Sequence, residues 1–294
     1  MTELTQHRAP LWAQLSIGLT YLIILALFGS LGESSVPQID PNNTLLIVFL
    51  KVMQVILVAI TFIVPVILFS SVIRSEKIKF LQLQKFPKWQ GLIIALTICI
   101  IALPLVSYTA EWNSSVHFPD SLKNIESWMR IKENAANETI KIFFANNTLG
   151  NMISNLFVVA FMAGLSEEIF FRGFIQRLFI ENKLNHHLAI WITAILFSAI
   201  HLQFFGFVPR VLLGAVLGYL YFYSGNLWLS IIAHTVNNGF AVVMAYVTGS
   251  IDNDPISNIE RESMSLLLAL FSGILITVEI LFLKKYYKNS TVEN

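Results

Sequence analysis

The chain is short of charge and almost without cysteine. Only 13% of its 294 residues are Asp, Glu, Lys or Arg, while 55% are hydrophobic. A soluble chain of this length carries roughly a quarter charged residues. Its 19 Lys and Arg against 18 Asp and Glu leave a net charge of +1, which excludes the strong basic bias of a nucleic-acid binder. The single cysteine, Cys99, excludes an internal disulfide. It lies in the apolar run LTICIIAL, where nothing would hold a thiolate, and it reads as a small buried apolar residue. The chain has no H-E-x-x-H of a helical zinc protease and no G-x-S-x-G elbow. Every Asp falls between the apolar runs, so a pair of intramembrane aspartates is excluded too. Internal repeats and low-complexity tracts are missing, and with them the broken-helix repeat signature of a transporter.

What is present is long apolar runs, at about 11–30, 45–73, 89–109, 151–181, 187–202, 209–224, 226–248 and 264–284. Such lengths suit membrane spans rather than core helices. The expected fold is all-α: a polytopic membrane bundle of about eight transmembrane helices, with residues 1–294 as one membrane domain. The first run reads as a retained helix rather than a cleaved signal. The second and fourth runs exceed the ~20 residues that cross a bilayer. The fifth and sixth fall short and are expected to cross sheltered by neighbours. Pro65 and Pro104 are expected to bend the second and third spans, and Lys51 to snorkel to an interface. Residues 110–150 are polar, which suits a short amphipathic helix or an irregular loop.

With the N-terminus inside, twelve cations fall in inner segments: Arg8, Arg74, Lys77, Lys79, Lys85, Lys88, Arg172, Arg177, Lys183, Lys284, Lys285 and Lys288. Six fall outside: Lys123, Arg130, Lys132, Lys141, Arg210 and Arg261. That bias predicts cytoplasmic N- and C-termini.

Six polar residues lie inside the apolar runs: Glu167, Glu168, Arg172, His201, His234 and Asn238. A charge at the bilayer centre costs at least ~2.5–3.5 kcal/mol, so such groups usually have a task. Glu168 and Arg172 are i and i+4 on one helix face and can pair. Glu167 points about 100° away, free for another neighbour. Glu167 lies 17 residues before Leu184, at the turn joining the fourth and fifth runs, and His201 lies 17 after it. In an antiparallel hairpin these two residues share a depth. His234 and Asn238 share a face of the seventh span, with Asn238 level with the glutamate and His234 one turn shallower. Phe197 shares a face with His201.

Glu167 and His201 can hold and deprotonate a water. His234 and Asn238 are donors suited to an oxyanion. Together these are the parts for hydrolysing an amide without a covalent intermediate. The plainer readings are a Glu168–Arg172 structural staple and histidines that merely pack. Glu167, His201 and His234 are also metal-ligand types, although their spacing demands no metal. Asn237 reads as structural, Glu279 as lacking an evident partner, and Gly214 and Gly218 as a small-xxx-small packing pair.

The E-E-x-x-x-R-G of Glu167–Gly173, the F-S-x-x-H of Phe197–His201 and the H-x-x-x-N of His234–Asn238, in that order, resemble the three motifs of the CAAX protease and bacteriocin-processing (CPBP, or Abi) family. The resemblance covers about residues 150–245. It implies a glutamate-type intramembrane endopeptidase that uses no cofactor, sits in a bacterial plasma membrane and cleaves a peptide or membrane-protein substrate. By the family pattern, Glu167 and His201 activate the water, and His234 and Asn238 form the oxyanion site. Glu168 and Arg172 support the first motif, and Phe197 supports His201. The alternatives are a non-catalytic membrane protein, such as a bacteriocin self-immunity factor or scaffold, and a proton-coupled transporter.

Overall fold

A computed structural model describes residues 10–31, 40, 43–73, 81–249 and 266–290. Every regular element in them is helical. In chain order these are α1 (Leu11–Leu31), α2 (Thr44–Val58, continued by a π turn Ala59–Ile63 and by Val64–Ile73), α3 (Trp89–Ser114) and α4 (Lys123–Phe144). Then come α5 (Leu149–Glu181), α6 (His186–Ala199), α7 (Phe207–Ser224), α8 (Leu227–Thr248) and α9 (Leu266–Ser290). Six are long and apolar enough to cross a membrane, and α1 and α6 hold shorter apolar stretches. The chain is an integral, multi-pass membrane protein, and these eight elements match the eight apolar runs.

The bundle is organised around α5. Its Phe170, Phe171, Phe174, Ile175 and Leu178 are buried against Leu22 of α1, Phe62, Val66 and Phe69 of α2, and Leu227 and Ile231 of α8. On the other side Ile94, Ala95 and Ile98 of α3 pack with Leu217 and Leu220 of α7, Leu229 and Ala233 of α8, and Ile276 and Leu283 of α9. Ile190 and Ala194 of α6 close on Val211 and Ala215 of α7. A methyl group on Gly214 would sit 3.2 Å from Ala194 Cβ, and one on Gly218 2.8 Å from Ile190 Cγ2. The pair therefore lets α6 and α7 approach closely, as its spacing predicts. Cys99 is buried, with its thiol directed at the Ala95 and Ala233 carbonyls.

Pro65 follows a π turn. A proline lacks the N–H that would bond the carbonyl four residues back, here that of Thr61. The Tyr21 hydroxyl of α1 donates to this carbonyl at 2.6 Å. Lipid supplies no water for an orphaned carbonyl, so this bond ties α1 to the break in α2. Tyr21→Phe is expected to cost about 1 kcal/mol, read as a lower melting temperature in detergent. An unchanged melt would mean that the carbonyl finds another donor.

Three expectations are corrected. Lys51 does not snorkel: it is 4% exposed, and its ammonium donates to Asn151 Oδ1 at 2.6 Å and Ser154 Oγ at 2.8 Å. Two neutral acceptors in the first turns of α5 take its hydrogen bonds. Arg172 carries no loop charge, because it is fully buried in an ion pair; eleven of the twelve inner cations then remain in that tally. Glu279 does have a partner, accepting from the Thr97 hydroxyl of α3. Of the remaining tally, Arg8, Arg74, Lys77, Lys79 and Arg261 lie outside the described residues. Residues 123–144 settle the reading of the polar stretch in favour of a helix, α4.

Candidate active site

The helix that carries the glutamates changes its winding on either side of them. α5 is π-wound over Leu156–Met162 and again over Phe171–Gln176, with a short α segment, Ala163–Phe170, between. Each π turn rotates the side chains that follow relative to an ideal α-helix, and such turns often occur at functional sites. In the α segment, Gly164 lets α8 come close. A methyl group there would lie 2.8 Å from Thr235 Oγ1 and 3.1 Å from its backbone nitrogen. That approach brings His234 to the glutamates.

Glu168 and Arg172 form the expected pair, with Nη1 to Oε1 at 2.6 Å and both side chains fully buried. Nη2 of Arg172 donates to the Gly214 carbonyl of α7 at 2.9 Å. The guanidinium also lies over the Phe197 ring, 4.7 Å from its centroid. The same Glu168 oxygen accepts from His234 Nδ1 at 2.9 Å. The buried Glu168–Arg172 pair thus joins α5, α7 and α8, and Phe197 packs from α6 at 5.1 Å from the His201 ring and 5.8 Å from that of His234.

Glu167 occupies the space between the histidines. His201 Nε2 is 3.9 Å from one of its oxygens and His234 Nε2 is 3.8 Å from the other. The ring tautomers follow from their other contacts. His201 Nδ1 is 2.7 Å from the Phe197 carbonyl, which can only accept, so Nδ1 carries the hydrogen. In the neutral ring, Nε2 then presents a lone pair toward Glu167. His234 Nδ1 likewise gives its hydrogen to Glu168. Neither Nε2 is in direct hydrogen-bond range of Glu167, and each gap is of a size that one water would bridge.

The hairpin arithmetic holds for Glu167 and His201. The depth arithmetic for α8 sets His234 and Asn238 near the same layer: His234 approaches Glu167, and Asn238 lines the same cavity as Glu167 and His201. Asn238 also donates to the Val159 carbonyl at 3.3 Å and accepts from Asn237. The close approach at Gly164 sets how near α8 comes to α5, which counting from the loops does not carry. Asn237, which reads as structural, donates to Asn238 and is part of the local hydrogen bonding.

A cavity of about 880 Å³ opens on this centre. Glu167, His201, Gln203 and Asn238 line it together with Asn137, Glu138 and Lys141 of α4. α4 is fastened at its other end. Glu133 accepts from the Phe205 N–H at 3.2 Å, Arg130 lies 4.2 Å over the Phe205 ring, and Trp128 packs on Phe204. Burial pushes the Glu133 carboxyl above the usual carboxylate range, against the opposing pull of the Phe205 N–H. On the outer face of α4, the Arg130 hydrogen bond holds the Glu126 carboxyl below that range. Gln203, and the place of α4 in the cavity wall, escaped the sequence reading. The hydrophilic face of residues 123–144 is legible as a pattern, but nothing in the pattern says what it covers.

Glu167, His201 and His234 are the residue types that could hold a metal. Among the described residues, no group of three His, Cys, Asp or Glu side chains is arranged as a metal-binding set. No curated protein and no solved structure matches the chain. A family model does match 92 of the 294 residues, 149–240, a segment holding both glutamates, Arg172, both histidines and Asn238. This segment, which builds the site, is similar to the type II CAAX prenyl endopeptidase family, Rce1-like.

Proposed function

We propose that the protein is an intramembrane endopeptidase in which Glu167 and His201 activate a water for attack on a peptide bond. The observation that carries this reading is the Glu167 carboxylate, set within 4 Å of two imidazole Nε2 atoms on the wall of a cavity inside a membrane bundle. A water in the gap donates one hydrogen to Glu167 and the other to His201 Nε2. Glu167 takes the proton as the water oxygen attacks the carbonyl carbon. When the C–N bond breaks, that proton passes to the departing amine. The oxyanion formed in between accepts hydrogen bonds from Asn238 and from His234, which donates from Nε2 only when it holds a second proton there. Glu168 and Arg172 hold His234 and α7 in place, and Phe197 holds both rings.

The family likeness supports a peptide of the prenylated CAAX type as the first substrate to try. The reading uses no metal, and both chain ends are proposed to be cytoplasmic, by the cation bias. The full-length protein in nanodiscs, given an internally quenched farnesylated CAAX peptide, is expected to cleave it. His201→Ala is expected to abolish cleavage, and a strong zinc chelator to leave the wild-type rate unchanged. Stoichiometric zinc by elemental analysis, lost on His234→Ala, would replace the water mechanism by a metal-assisted one. Cleavage that survives His201→Ala undiminished would remove hydrolysis from this site.

A further inference from the structure

The chain leaves α6 through a strained turn that directs a second polar side chain toward the reaction cavity. Leu202 has φ +53°, a left-handed conformation that costs a residue with a Cβ roughly 1–2 kcal/mol. Strain of this kind persists only where the surroundings hold it, and often near functional sites. The surroundings here are extensive. Asn113 of α3 donates to the Phe204 carbonyl at 3.0 Å and accepts from Val208 N–H at 2.7 Å. Glu133 of α4 accepts from Phe205 N–H. Ser198 donates to the Phe207 carbonyl at 2.8 Å. The result is that His201 and Gln203, either side of Leu202, line the same cavity.

Gln203 is itself oriented. Arg210 of α7 donates through Nη2 to Gln203 Oε1 at 2.8 Å, and through Nη1 to the Gln203 backbone carbonyl at 3.3 Å. A guanidinium has donors only, so it fixes which end of the amide is oxygen. The NH₂ end is then the opposite one. Among the described residues that Nε2 has no hydrogen-bond partner, it is not among the buried unsatisfied atoms, and Gln203 lines the cavity. A donor locked in place from behind and vacant in front is how a site presents a hydrogen bond to a ligand.

On the proposed reading of the site as a peptidase, we propose that Gln203 is a substrate-binding residue: its amide N–H donates to a backbone carbonyl of the peptide, beside the bond facing Glu167 and His201. Arg210 is its positioning residue. The contact is to the backbone, so it holds the chain in register without regard to side chain.

The test uses the full-length protein in nanodiscs with the same quenched farnesylated peptide, and compares kcat/KM and melting temperature. Gln203→Met removes the donor and is expected to lower kcat/KM about tenfold, the worth of one hydrogen bond near 1.4 kcal/mol. Gln203→Glu keeps the tie to Arg210 as an ion pair and is expected to melt no lower than wild type, yet to lose at least as much activity. Arg210→Met keeps the donor but frees it, and is expected to lose less than Gln203→Met. The double variant Arg210→Met with Gln203→Met should match Gln203→Met alone. Wild-type kcat/KM in Gln203→Glu would overturn the assignment and leave Gln203 a structural tie. So would an Arg210→Met loss equal to that of Gln203→Met. A wild-type rate no higher than that of Glu167→Gln is a different failure: it overturns the peptidase reading, and this assignment with it.

Discussion

Glu167→Gln is expected to lower peptide cleavage by about 10²–10⁴-fold, the usual worth of a general base. The amide has nearly the size and shape of the carboxylate, so the packing between His201 and His234 is retained. What is lost is the ability to take a proton from water. Stability should hold or rise, because an incompletely paired carboxylate has been removed from the bundle. A His201→Ala change acts on the same step, and its effect should not add to that of Glu167→Gln. The measurement is the rate on the farnesylated reporter peptide, set beside a melting curve for each variant. A Glu167→Gln protein within a few-fold of the wild-type rate would end the water-activation mechanism. Activity lost together with the melting transition would say only that the fold was damaged, and the His201→Ala rate would then decide.

Arg172→Met is expected to destabilise the protein by about 3–5 kcal/mol, the cost of leaving one member of a buried ion pair alone. Arg172 is fully buried, pairs with Glu168 at 2.6 Å and bonds the Gly214 carbonyl at 2.9 Å. Its removal strands a carboxylate that also orients His234. The fall in melting temperature should be largely recovered by adding Glu168→Gln. A glutamine there is neutral, needs no cation, and can still accept from His234 Nδ1 through its oxygen. Replacing both partners of a buried pair is often close to neutral where removing one is not. If the single and double variants melt alike, the ion pair is not what fastens α5 to α7. Activity is expected to recover less than stability, since the Gly214 bond and the contact with Phe197 are not restored.

These two predictions rest on residues that a linear reading already sets apart. The lipid environment is the reason. A charged or hydrogen-bonding side chain within an apolar run is costly unless paired, so its presence alone is informative. The i, i+4 spacing of Glu168 and Arg172 makes their pairing a property of one helix, independent of what packs around it. The equal counts from Leu184 to Glu167 and to His201 do the same for a hairpin. The eight spans follow from hydropathy, because only a helix satisfies its own backbone in lipid.

Contacts between elements distant in sequence depend on terms that no local pattern carries. His234 reaches Glu167 because Gly164 admits α8 against α5. Lys51 stays buried because α5 offers it Asn151 and Ser154, a hundred residues along the chain. Tyr21 closes the gap that Pro65 opens in α2, and Arg210 fixes the amide of Gln203. By itself the sequence determined the class of protein, its spans and the identity of the six polar residues, since burial of polar groups in lipid and helical spacing are local and strongly weighted. Only the tertiary structure decided which imidazole faces which oxygen, that the amphipathic helix Lys123–Phe144 lines the cavity, and that Gln203 shares its wall with His201. Those outcomes turn on how closely packed helices approach, set by glycines, π turns and side-chain fit summed over the whole bundle.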